Sequence, residues 1–152
     1  MLQSAIDKAL KTALLAGDKQ TATTLRGLKS ALQYEAMAKG RQVESLSEDQ
    51  AQAVLLKEVK KRSEAAELYQ RGGDQRRAAA ELAERRLIEG FLPEKMSDDE
   101  LRQLVAKHVA ALGASGPADI GKVIAAVRQE SGAAAEGSAI AAAAKQLLGG
   151  GS

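Results

Sequence analysis

The sequence predicts an all-α protein, and three observations predict it. Apolar residues recur at spacings of three and four through most of the 152 residues, and no stretch alternates with the period of two of a half-buried strand. Aromatic residues make up only 2% of the chain, so its 45% apolar share is chiefly Ala, Leu, Val and Ile. Alanine is the best helix former but buries little surface, which implies thin cores of helix on helix. Glycines and capping polar residues punctuate the periodic stretches at helical lengths.

Each element follows from that pattern. Leu2, Ile6, Leu10 and Leu14 fall at i, i+4 spacing and predict a first helix, with Gly17-Asp18 ending it and capping the next. The second helix is expected over 19–39, with Ala22, Leu25, Leu28, Leu32 and Ala36 on one face and Gly40 as its stop. After a polar loop, Ser47-Glu48-Asp49-Gln50 reads as a capping box for a third helix carrying Ala51, Val54, Leu55, Val59 and Leu68. Gly72-Gly73 ends it, and Asp74 caps a fourth helix that runs through Leu82, Leu87 and Ile88 to Phe91-Leu92.

Pro93 disfavours helix at Leu92 and marks a boundary. Ser97-Asp98-Asp99-Glu100 is a second capping box, followed by the stripe Leu101, Leu104, Val105, His108, Val109 and Leu112, closed by Gly113. Two short helices, over 119–130 and 137–148, complete the chain. The expected organisation is a bundle of about four helices over 1–92, a three-helix domain over 93–148 and a flexible tail over 149–152. At about 55 residues the second part lies near the lower limit for independent folding.

Composition excludes several chemistries. With no cysteine there is no disulfide, thiolate metal site or Cys nucleophile. A single histidine, His108, rules out a His-based metal cluster, and its place on an apolar stripe predicts a core or boundary ring. The paired carboxylates Glu48-Asp49 and Asp98-Asp99 occupy first helical turns, where they complement the macrodipole. No P-loop or strand-borne glycine fingerprint is present. No catalytic residue, metal or cofactor is therefore expected. No apolar run reaches membrane-spanning length and Met1–Asp7 lacks a signal pattern, so no membrane partner is expected and a cytoplasmic location is.

The formal charge of +2 is uninformative until it is divided. Residues 1–92 hold 16 Lys/Arg against 13 Asp/Glu, and residues 93–152 hold 6 against 7. Arg26, Lys29, Lys57, Lys60 and Lys61 are expected to converge when the second and third helices pack antiparallel, offering separated phosphate contacts. The plain alternative is a solvated surface, because Glu58, Glu64, Glu67, Glu81, Glu84 and Glu89 are interleaved at pair spacings. With three aromatic residues, base stacking is not expected.

One segment does not read as mere helix. In Pro117-Ala118-Asp119-Ile120-Gly121-Lys122-Val123-Ile124, Asp119 is placed to cap a helix, yet Gly121 in its first turn costs about 1 kcal/mol against alanine. In return it offers bare backbone, with Lys122 beside it and a helix N-terminus behind.

This segment, followed by Glu136-Gly137 and a last helix ending Leu147-Leu148, resembles the GatB/YqeY family. So do Arg26-Gly27-Leu28-Lys29-Ser30-Ala31-Leu32 with Glu35, the basic run Lys57–Arg62, and Glu89-Gly90-Phe91-Leu92-Pro93-Glu94-Lys95. These matches keep order and spacing from about residue 1 to 148. The resemblance implies an accessory module that contacts transfer RNA or a complex that handles it. In the amidotransferase B subunit, which shares the tail region, the small helical domain is implied to touch the body of transfer RNA. Carried over by position, Gly121 and Lys122 are the contact residues, with the Gly132–Gly137 turn beside them. The sequence departs from the family there: Glu136-Gly137-Ser138 lacks the usual basic residue, and Ala133 and Ala134 replace others. Two expected phosphate partners are missing, which predicts weak RNA binding by the tail alone. Inheritance would also suggest a carbon–nitrogen ligase with glutamine as amido donor, but the B subunit's kinase-like body has no counterpart in these residues. The rival expectation is a protein–protein adaptor that presents an apolar and basic surface and binds no RNA.

Overall fold

The structure, a computed structural model, describes residues 2–149; residues 150–152 of the expected flexible tail lie outside the described residues. Among the described residues seven α-helices follow in order: α1 (Leu2–Leu15), α2 (Lys19–Ala38), α3 (Glu48–Arg71), α4 (Gln75–Glu89), α5 (Asp98–Leu112), α6 (Ile120–Ser131) and α7 (Gly137–Leu147). Short 3-10 turns occupy Val43–Ser45, Pro117–Asp119 and Gly132–Ala134, and no strand occurs among the described residues. The protein is all-α. Among the described residues no helix is long and apolar enough to cross a membrane. The chain forms two compact units, Met1–Pro93 and Glu94–Ser152.

In the first unit the caps act as their chemistry requires. The Asp18 carboxylate accepts from the Thr21 hydroxyl at 2.7 Å and the Thr21 N–H at 3.1 Å. Those two bonds, the hydroxyl's first, hold its pKa below the usual carboxylate range. Ser47 and Gln50 form the full reciprocal capping box at the start of α3. The core is a leucine cluster in which Ile6, Leu25, Leu28, Leu32, Leu55 and Ile88 are fully buried. Leu46, beyond the 3-10 turn, is also buried, so the loop expected to be polar contributes to the core.

Two expected core leucines face water instead. Leu14 is 51% exposed while Ala13 is buried, and Leu68 is 65% exposed while Ala66 is buried. At about 100° per residue, each i, i+4 step drifts by about 40°, so the series Leu2, Ile6, Leu10, Leu14 winds off the core by its last member. Leu112 is also exposed, at 49%, but for another reason: it keeps the angle of Leu101 and is the last residue of α5.

Along α3 and α4 the interior changes character. Glu58 is buried, bonded by the Lys61 ammonium at 3.2 Å and by the Arg62 guanidinium, which also reaches Glu84 at 3.5 Å. Beyond this cluster only Ala66 and Ala78 are buried in the hairpin. Glu58, expected on a solvated face, is a buried carboxylate that engages Arg62 within α3, and Arg62 is what reaches across to α4 where apolar side chains run out.

In the second unit Leu101, Val105, Val123, Val127, Ile140 and Ala144 make a separate core among α5, α6 and α7. Its entry is pinned by the Met96 N–H donating to the Ala134 carbonyl at 2.8 Å. Ser97 accepts from the Glu100 N–H and so supplies one half of the expected capping box. Gly113 ends α5 in the left-handed region, at φ 63°.

Candidate nucleic-acid interface

The segment around Gly121 is built differently from its sequence expectation. Pro117 begins a 3-10 turn that runs straight into α6, with the Ile120 N–H donating to the Pro117 carbonyl. Asp119 is therefore already helical and does not cap α6; its carboxylate turns back to accept from the Ser115 N–H at 3.1 Å. A capping residue needs a non-helical backbone to aim its side chain along the helix, and Asp119, at φ −95° and ψ −1°, is helical whereas Gly116 is extended. The open N-terminus of this helical segment thus lies before Gly121.

Gly121 is left without a structural reason. Its φ is outside the left-handed region, and a Cβ built on it would meet nothing within 4 Å. Neither a turn nor close packing demands glycine there. Ala125 and Arg128 follow at i+4 and i+7 on α6, and all three are exposed. Together they make a smooth face on α6, with exposed Lys122 on its flank. Neither Lys122 nor Arg128 has an ion-pair partner among the described residues.

Arg128 also ties this face to the following turn. A Cβ at Gly137 would stand 3.2 Å from Arg128 Nη2 and 3.6 Å from its Cζ, so the guanidinium lies against bare glycine backbone. The sequence does not mark Arg128, because it falls before the turn in which the family's basic residues are expected. Its spacing of seven from Gly121 was the available signal.

Three carboxylates of this unit are engaged by basic side chains. Lys107 bonds Glu130 Oε1 at 2.8 Å, and His108 Nε2 lies 3.1 Å from Oε2. These two contacts, Lys107 first, keep the Glu130 carboxyl below its ordinary pKa. His108, 19% exposed at its side chain, is a boundary residue engaged in that clamp. Lys95 holds Glu136 at 2.9 Å and Arg102 holds Asp99 at 2.6 Å. No trio of His, Cys, Asp or Glu among the described residues is placed to hold a metal.

The N-terminal candidates lie on α2 and α3. Lys29 pairs with Asp7 of α1 at 2.7 Å and lines a shallow groove of about 180 Å³ with Gln3, Leu32 and Val43. Lys57, Lys60 and Lys61 share one face of α3 at i, i+3 and i+4, and all are exposed, but Lys61 is drawn to Glu58. Arg26, Lys57 and Lys60 are exposed and make no ion pair among the described residues.

A family model described as Yqey-like protein matches residues 3–148. The chain belongs to this family. The match runs through both compact units, so membership concerns the bundle and the α5–α7 unit together. Among curated proteins, none matches this chain.

Proposed function

We propose that this YqeY-family protein is a non-catalytic binding module whose α6 face receives the sugar–phosphate backbone of RNA, transfer RNA above all, in the cytoplasm. The observation that carries this reading is Gly121: an exposed helix glycine with open space around it, aligned with Ala125 and Arg128 and flanked by Lys122. A side-chain-free patch lets a phosphate backbone come close, and two unpaired cations at its margin supply charge-assisted contacts. The resemblance of this segment to the tail of the amidotransferase B subunit supports transfer RNA as the species. Arg128 partly replaces the basic residues absent at Ala133 and Ala134. Lys57 and Lys60 are proposed as further phosphate contacts on the bundle.

The test is a titration of transfer RNA at a series of salt concentrations. Affinity is expected to fall steeply with salt, and Lys122→Ala and Arg128→Ala each to reduce the logarithmic salt slope by about 1. Gly121→Leu changes no charge, so it is expected to weaken binding while leaving the slope largely intact. Binding that is absent at low salt, or unchanged by all three variants, overturns the reading.

A further inference from the structure

The outer face of α2 presents a second anomaly, independent of the first. Gly27 lies in the middle of a 20-residue helix, outside the left-handed region, and a Cβ there would meet nothing within 4 Å. Such a residue weakens a helix relative to alanine and here gains no internal contact in return. Thr23, Gly27, Ser30, Tyr34 and Met37 recur at i, i+4, i+7, i+11 and i+14, so they form one stripe, and every one is exposed.

The two large members of that stripe decide what it suits. Tyr34 is 77% and Met37 76% exposed, one turn apart, although the core of this unit lies on the other side of the same helix. A nucleic acid would use the tyrosine ring but has no use for a neighbouring methionine. A helix from a protein would bury both, and the small residues Thr23, Gly27 and Ser30 would let its backbone approach closely.

Charge completes the complementarity. Of the ionisable groups on α2, Lys29 is paired with Asp7 and Glu35 with Lys39. The two that make no ion pair among the described residues, Lys19 and Arg26, are both positive and exposed. A second copy of this face would bring like charges together, whereas a carboxylate-bearing helix would be attracted.

We infer that the outer face of α2 docks an amphipathic helix of a protein partner, with apolar anchors over Tyr34 and Met37 and acidic residues beside Arg26 and Lys19. Gly27 is the crossing point. This surface lies on the bundle and does not depend on the RNA reading of α6.

The experiment replaces Tyr34 with the photoreactive residue p-benzoylphenylalanine in the full chain, irradiates the native cells and identifies the cross-linked segment by mass spectrometry. The expected product is a protein segment with apolar residues at helical spacing and Asp or Glu on its margins. Arg26→Glu and Gly27→Leu are each expected to lower its yield about tenfold. Both positions face open water, and circular dichroism of these variants is expected to show unchanged helicity. Adducts to RNA, to a second copy of this chain or to a basic segment overturn the inference. So does an adduct no stronger than that from the same photoreactive residue at exposed Gln103 on α5, or one indifferent to both variants.

Discussion

The two units solve the same problem with different means. The larger one wraps leucines from α1, α2 and α3 around Ile88, then extends the α3–α4 hairpin with alanines and the Glu58–Arg62–Glu84 cluster. The smaller one has no buried ion cluster among the described residues and closes on leucine, valine, isoleucine and alanine from three short helices. Their charges differ in arrangement as much as in sign. In the net positive unit, Lys29 and Lys61 are held by carboxylates and the remaining cations spread over several helices. In the net negative unit, Glu130, Glu136 and Asp99 are taken up by basic neighbours, which leaves Lys122 and Arg128 on a face of small residues. Net charge is thus a poor guide to where an anion would bind. Pairing decides which charges are available, and pairing belongs to the tertiary structure.

The sharpest way to test the contrast is to damage each core equally. Leu28 and Ile140 are both fully buried, and truncating either to alanine is expected to cost about 2–5 kcal/mol. In the larger unit that loss should lower the urea midpoint but leave a folded bundle. In the smaller unit it approaches the whole reserve of a domain of about 55 residues. Ile140→Ala is therefore expected to abolish the protection of α5–α7 amides in hydrogen exchange at 25 °C, while Leu28→Ala is not. Equal, modest losses in both units would break the comparison.

Next in size is the buried anion. Glu58→Ala leaves the Arg62 guanidinium, 18% exposed, facing Glu84 with half of its partners gone; a destabilisation of about 1–3 kcal/mol is expected in denaturant melts. Combining it with Arg62→Met should recover part of that loss, since the guanidinium, the more buried of the two remaining charges, is then gone and Glu84, 29% exposed, can turn to water.

The glycines give smaller effects of opposite sign. Gly27→Ala and Gly121→Ala are each expected to stabilise their unit by about 1 kcal/mol, because both sit in helices with open space. Gly137→Ala should gain less, since its new methyl group must first displace the Arg128 guanidinium by a few tenths of an ångström. A stability gain at Gly121 accompanied by weaker RNA binding is the pattern expected of a position kept bare for a partner.

The smallest effect concerns acid. The Glu130 carboxyl binds a proton less readily in the folded state than in the unfolded one, owing to Lys107 and then His108. Its contribution to stability is complete above the ordinary carboxylate range and is lost as pH falls through the depressed folded value. Glu130→Gln should flatten that part of the stability–pH profile for the α5–α7 unit, measured by thermal melts from neutral to acid pH. The Glu58 cluster lies in the other unit, whose acid response should be unaffected.

Helix positions and their stops were legible in the residues because caps and glycines act locally. Asp18, Ser47, Asp74 and Ser97 each accept the N–H three residues ahead, as their chemistry alone predicts. Asp119 does not, because a proline-initiated turn two residues earlier had already set its backbone helical. Which of two neighbouring apolar residues faces inward was less legible: Ala13 over Leu14 and Ala66 over Leu68 follow from the helical period rather than from hydrophobicity. Gly121 and Lys122 stood out in the sequence, whereas Arg128 needed the turn that folds Gly137 against it.

By itself, then, the sequence determined the all-helical class, the capped ends of most helices and the family, since each rests on local propensity or on order along the chain. Only the tertiary structure decided that Glu58 is interior, that Lys29 and Lys61 are paired, and that Gly27 and Gly121 touch nothing. Those are facts about what surrounds a residue, and the surroundings are assembled from helices distant in the chain.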